Sequence, residues 1–300
     1  MSRLVLVGTG LIGGSVALAA RAAGLFSDIH GMDADADAAR LAVELGVIDE
    51  MVDGFDDVRT ISAVCVAVPT RALVDVLQRA LDAVPDDVPV FDVGSVKAPV
   101  IDGLTRRRGP SQNFVPCHPL AGSEQQGAGA ARVDLFRDRS VVITPTPETD
   151  DALVRRVEQW WRAMGADVAH RDADAHDRVV ALTSHLPHLL AFALMGLVKR
   201  QDPDDIATHI GGGFRDFSRI AGSDPNVWSD ILSDNRGFVS EHVGALIDEL
   251  TRMQDLAAND PAQLAVRLNE LRDARRSLDR RPDLDREDAG SVDPSPDKHE

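Results

Sequence analysis

Residues 4–15 read Leu-Val-Leu-Val-Gly-Thr-Gly-Leu-Ile-Gly-Gly-Ser. An apolar run of strand character, Leu4 to Val7, enters a turn carrying Gly8, Gly10 and Gly13, and an apolar helical pattern continues from Leu11 to Ala23. Gly8 permits the tight turn, Gly10 lets the backbone approach a pyrophosphate, and Gly13 lets helix and strand pack closely. The first helical residues, Leu11 and Ile12, lie at an N-terminus whose free N–H groups suit phosphates. The GxGxxG spacing alone is a weak signal. A strand before it, a helix after it and an acid closing the next strand make the stretch a dinucleotide site. The alternative is a glycine-rich turn in some other α/β fold.

Working outward, apolar strand patterns fall at 3–7, 28–32, 62–68, 88–93, 113–117 and 140–144, with helical patterns between them at 11–23, 34–45, 71–83 and 96–107. Several of these strands are continuous apolar runs, as parallel strands covered on both faces require. A helix over 149–164 and a short strand over 166–170 complete the pattern. The reading is an α/β Rossmann-like doubly wound sheet domain, residues 1–171. From Asp172 onward only helical periodicity remains: a long apolar helix over 174–200, kinked at Pro187, then helices at 203–210, 224–234, 235–257 and 260–280. This predicts an all-α helical domain, 172–280, for substrate binding and dimerisation. Its apolar helices exceed what one small bundle needs, so a homodimer is expected. The acidic, Pro- and Arg-rich tail, 281–300, is predicted to be disordered.

A formal charge of -17 over 300 residues argues against nucleic-acid binding, which wants a basic face. No apolar run reads as long enough to span a bilayer, so no membrane partner is expected. The first strand begins almost at once, leaving no room for a signal peptide. Cys65 and Cys117 sit in apolar strands and read as buried free thiols in a reducing cytoplasm. Anionic ligands must then be held by a few local Arg, His and N–H groups working against an acidic whole.

Asp33 closes the second strand, where a carboxylate accepts from the adenosine ribose and repels a 2′-phosphate, favouring NAD over NADP; the alternative role is a cap for the following helix. Pro69 and Thr70 close the third strand and border the cofactor. Ser95, after the fourth strand, either caps a helix or presents its hydroxyl to a nicotinamide or base, with Lys97 beside it as an exposed helix residue. His118 follows the fifth strand, where a neutral imidazole takes a proton from a substrate hydroxyl as its carbon loses hydride; a merely structural histidine is the competing reading. Ser184-His185-Leu186-Pro187-His188 carries two histidines three apart, but no third ligand is evident and no metal is expected. Arg215 and Arg219, one helical turn apart after Gly211-Gly212-Gly213, concentrate positive charge suited to a carboxylate. A surface charge pattern with Asp216 would account for them equally, and Trp228 reads as packing beside them.

Taken in order, GTGLIGGS (8–15), DVGSVK (92–97), HPLAGSE (118–124), SHLPH (184–188) and GGGFRDFSRIAGSDPNVW (211–228) resemble the prephenate/arogenate dehydrogenase family of tyrosine biosynthesis, over about residues 3–250. The resemblance implies a Rossmann-like domain followed by a helical dimerisation domain, NAD as cofactor, and oxidative decarboxylation of prephenate to 4-hydroxyphenylpyruvate. It implies that His118 is the catalytic histidine on the ring hydroxyl, that Ser95 links it with the nicotinamide end, and that Arg219 holds a substrate carboxylate. His188, Ser123 and Gly212 match pocket positions, and Arg215 stands where some members carry Lys. No regulatory domain is expected after the helices. Arogenate is the alternative substrate. A 3-hydroxyacid dehydrogenase, an imine reductase or a non-catalytic NAD-binding sensor would keep the glycine loop but would not need HPLAGSE or FRDFSRIAGS.

Overall fold

The computed structural model describes residues 2–55, 60–123 and 125–278; the expected tail lies outside the described residues. Strands β1 (Arg3–Val7), β2 (Asp28–Met32), β3 (Glu50–Met51), β4 (Ile61–Val66), β5 (Val90–Asp92) and β6 (Phe114–Val115) form one parallel sheet in the order β3-β2-β1-β4-β5-β6. Sequence order reverses between β1 and β4, which opens a crevice beyond the carboxyl ends of the strands, where ligands bind in such sheets.

Alternation along β1 explains the layering. Leu4 and Leu6 join one buried cluster, with Val16, Ala17 and Ala20 of α1 (Leu11–Ala22) and with Val157 and Trp161 of α5 (Asp151–Ala163). Val5 and Val7 join the opposite cluster, with Leu73, Leu77 and Leu81 of α3 (Thr70–Ala83) and with Val100 and Leu104 of α4 (Ala98–Arg108). Each fully buried leucine contributes about 1.5–3 kcal/mol relative to exposure. Helix α2 (Ala36–Glu44) starts at Asp35, whose carboxylate accepts from the Asp37 and Ala38 N–H groups.

The sequence expectation of one continuous strand at 113–117 needs correction. The segment breaks at Pro116, which has no N–H to continue a ladder. β6 ends the parallel sheet there, and β7 (Cys117–Pro119) starts a second sheet, β7-β8-β9, with β8 (Ser140–Ile143) and β9 (Asp167–His170). β7 and β8 are antiparallel, whereas β8 and β9 are parallel. β3 escaped the reading because two exposed residues carry no periodicity.

The long apolar helix is present but not uniform. α6 (Ala173–Val180) passes into a π-helical turn, Ala181–His185, and on into α7 (Leu186–Val198), with Pro187 in the first turn of α7. The irregularity is thus absorbed by one wide turn ahead of the proline. The combined 26-residue helix, Ala173–Val198, is long and apolar enough by length and composition to cross a bilayer, which corrects the expectation that no run qualifies. Here it carries buried His176, Asp177 and His185. α8 (Pro203–His209), α9 (Gly212–Ser218), a 3-10 turn (Arg219–Gly222) and α10 (Pro225–Asp234) follow.

Two compact units emerge, residues 1–242 and 243–300, so the long helix α11 (Arg236–Asn259) contributes to both. In the second unit α12 (Pro261–Leu278) folds back on the end of α11, and Arg267 meets Glu249 at 2.9 Å and Glu270 at 3.1 Å. The candidate site described next lies in the first unit.

Candidate active site

A cavity of about 1070 Å³ occupies the crevice. Its floor is the set of strand ends: Gly8 after β1, Asp33 after β2, Pro69 and Thr70 after β4, and Gly94 and Ser95 after β5. Gly8 has φ +95°, and a Cβ there would lie 2.2 Å from the Ala67 carbonyl oxygen. Gly13 does not line the cavity; a Cβ on it would lie 2.0 Å from the Gly8 carbonyl oxygen, so it sets the approach of α1 to the loop. Gly10, Leu11 and Ile12 open the α1 N-terminus onto the cavity, and Gly10 has no side-chain cap to compete with an anion.

Asp33 has two tasks. One carboxylate oxygen accepts from the Thr9 backbone N–H at 2.8 Å and from the Thr9 hydroxyl at 2.9 Å; the other accepts from the Asp35 N–H at 3.1 Å. It therefore clamps the glycine loop while facing the cavity. It is not the cap of α2, since Asp35 fills that place.

On the opposite wall stand His118 from β7, Ser184, His185 and His188 from the long helix, Arg219, and Trp228 from α10. Ser123 also lines the cavity. Gly212 and Arg215 do not: both are exposed on α9, and the 3-10 turn that begins at Arg219 breaks the regular helical register linking Arg215 to Arg219. Trp228 is more than packing. Its ring stacks on the His188 imidazole with centroids 3.5 Å apart.

The most informative geometry was not foreseen. His118 Nδ1 lies 2.9 Å from His176 Nε2, and His176 Nδ1 lies 2.7 Å from Asp177 Oδ1. All three residues are buried. A carboxylate only accepts, so His176 carries its proton on Nδ1 and its Nε2 accepts. His118 then donates from Nδ1, which leaves His118 Nε2 as the free acceptor. Burial pushes the His118 imidazole well below the usual histidine range, reinforced by His176, by the Lys97 ammonium and by His185. His118 is thus a neutral base of defined tautomer. The sequence signal was faint: a His-Asp pair among other charged residues, Asp174 and Arg178, in the polar start of the long helix.

Asp177 has further partners. Its carboxylate accepts from the Lys97 and Ala98 N–H groups, both at 2.9 Å, and so caps α4 from another helix. Ser95 is therefore not that cap, and it lines the cavity instead. Asn235 donates to the Asp177 carbonyl at 2.8 Å and lies 3.0 Å from His185 Nδ1. His185 is held down to about 4, chiefly by burial. His188 donates from Nδ1 to the Ser184 carbonyl at 2.9 Å; burial lowers its proton affinity, with Arg219 contributing.

The π turn explains how one helix serves the cavity twice. His176 and His188 are twelve residues apart, which in a regular helix puts them about 120° apart around the axis. A π turn takes up one extra residue, leaving an effective separation of about 20°. Both histidines then share a face. Lys97, expected to be exposed, is instead fully buried at 0 % exposure, paired with Asp92. The cysteine expectation agrees with the structure: Cys65 and Cys117 are free and buried, and burial pushes the Cys117 thiol up to about 12.

Residues 16–170 match the family model for the prephenate dehydrogenase nucleotide-binding domain, and 172–270 match that for its dimerization domain. The cyclohexadienyl dehydrogenase of Zymomonas mobilis is 33% identical over 92% of this chain and 95% of its own length. The prephenate dehydrogenase of Bacillus subtilis is 31% identical over 87% of this chain and 71% of its own. A solved A. aeolicus prephenate dehydrogenase, in complex with hydroxyphenyl propionate and NAD+, superposes with a TM-score of 0.85 at 32% identity, covering 93% of this chain and 98% of that one. With both domain models spanning most of its length and a parallel-sheet cavity shaped for a dinucleotide, the chain belongs to the prephenate dehydrogenase family and is an NAD-dependent oxidoreductase.

Proposed function

We propose that the chain oxidatively decarboxylates prephenate to 4-hydroxyphenylpyruvate, with His118 as base. The observation that carries this reading is the His118–His176–Asp177 chain ending in the cavity that Gly8, Asp33 and Arg219 also line. The loop of Gly8 and Gly10, the first turn of α1 with Leu11 and Ile12, and the strand ends at Asp33, Pro69 and Thr70 would hold NAD, while Gly13 sets the packing beneath. Held there, the nicotinamide would supply the hydride acceptor for the hydroxyl-bearing ring carbon. His118 Nε2 accepts the hydroxyl proton as the carbonyl develops. The new imidazolium is stabilised where it forms, by its hydrogen bond to His176, which the Asp177 carboxylate orients. Loss of the ring carboxylate as CO₂ then aromatises the product. Arg219 offsets the repulsion between a dianionic substrate and an acidic protein, His188 lines the same wall as a neutral ring, and Ser95 and Ser123 supply hydroxyls along it. Arogenate, with an amine in place of the keto group, remains the alternative substrate.

Gly212 and Arg215 lie outside this cavity wall, so their part in binding rests on the sequence resemblance alone. We place the division between the cofactor and helical domains at 171/172, take the working unit as a homodimer, and place the enzyme in the cytoplasm, in keeping with its two free thiols. The test is appearance of the NADH absorbance band with prephenate plus NAD, run beside arogenate and NADP. His118→Asn should lower kcat by roughly 10²–10⁴-fold with NAD binding intact. Near-parent turnover in that variant removes His118 from the reaction.

A further inference from the structure

A lysine with no solvent exposure is unusual, because a buried ammonium must be fully paired. Lys97 Nζ donates to Asp92 Oδ2 and, at 2.7 Å, to the Cys117 carbonyl. Asp92 in turn accepts from the Cys117 N–H at 3.1 Å and from the Gly94 N–H at 2.9 Å. The ion pair therefore grips both backbone polar groups of the residue before His118. The Lys97 backbone N–H donates to the Asp177 oxygen that also orients His176. A closed ring of contacts results: Lys97 side chain to Cys117, Cys117 to His118, His118 to His176, His176 to Asp177, and Asp177 back to the Lys97 backbone. One residue holds the imidazole from behind and from the side.

We propose that Lys97 is a positioning residue for His118, its side chain fixing the β7 backbone so that the imidazole meets the substrate hydroxyl in the geometry that the His176–Asp177 pair presets. This rests on the reading of His118 as base. A simple fold role would be served as well by an apolar side chain, since swapping a buried ion pair for apolar groups is often neutral or stabilising. Among the described residues, the groups that act electrostatically on His118 are His176 of α6, Lys97, and His185 of the π turn; the Lys97 ammonium, paired with Asp92 behind the Cys117 carbonyl, is the buried cation of the set.

The experiment compares Lys97→Met with the double variant Asp92→Asn/Lys97→Met, which leaves no unpaired buried charge. Each is assayed with prephenate and NAD across pH and melted thermally, beside His118→Asn. In Lys97→Met, kcat should fall on the order of 10²-fold, the cost of a misplaced reacting group, with KM for NAD within about threefold. Its acid limb should move to higher pH, because the lost ammonium no longer opposes imidazolium. The double variant should melt near the parent temperature and keep the kcat loss. Parent-like kcat in the double variant, or KM rising in step with the kcat loss, overturns the proposal. If His118→Asn is inactive while the double variant is active, only the role of Lys97 fails; if His118→Asn is active, the base assignment itself fails.

Discussion

Asp33 concentrates two demands in one carboxylate. Its grip on the Thr9 N–H and hydroxyl holds the glycine loop, and its place on the cavity floor suits the ribose contact we propose for it. Losing it should therefore do more than relax specificity. For Asp33→Ala we expect the kcat/KM preference for NAD over NADP to shrink by at least tenfold, with NAD binding itself weakened by roughly 1.5–3 kcal/mol, as for hydrogen bonds to a charged group. Kinetics with both nucleotides test this, and an unmoved preference would show that the carboxylate serves the loop alone. His118 illustrates the same economy. Its tautomer is set not by its own strand but by a carboxylate two residues away in the hydrogen-bond chain.

At the scale of elements, the helix from Ala173 to Val198 decides the site. Its π turn rotates the second half so that His176, which hydrogen-bonds His118, and His188, which stacks on Trp228 at the cavity wall, share a face. Inserting one alanine after the exposed Thr183, with the wide turn kept, would swing His188 by about 100° relative to His176. The expected result is unchanged helical circular dichroism, unchanged NAD affinity and a KM for prephenate raised at least tenfold. A variant with parent KM would show that the wide turn is incidental. The break at Pro116 matters similarly, because it moves His118 off the parallel sheet and onto β7, where Asp92 and Lys97 can reach the preceding peptide groups.

Across the whole molecule, apolar side chains remain uncovered on the helical elements. Val179, Leu182 and Leu197 are exposed on the long helix of the first unit, and Ile247, Leu250, Val266, Leu268 and Leu271 on the second. Exposed apolar groups on the helices of each unit suit burial against a second copy of the chain, in keeping with the dimerization-domain match. Light scattering should give twice the chain mass, and Leu197→Asp with Leu250→Asp should bring it towards a single chain. A parent protein that is monomeric at micromolar concentration would refute the dimer.

Much of this was legible from local patterns. The glycine spacing, the apolar runs and Asp33 specify a nucleotide fold because turn geometry and burial periodicity act over a few residues, and five motifs in order carry the family. His118 stood out for the same reason, at the end of an apolar strand. The network around it did not, because Lys97, Asp177 and His176 meet His118 only after chain segments about 20 to 80 residues apart come together. Sequence read Lys97 as a solvated helix residue, since its charge is tolerable in the interior only once Asp92 and the Cys117 carbonyl are in place. Local chemistry thus names the cofactor and the proposed base; long-range packing selects the tautomer, the helix rotation and the buried charge around that imidazole.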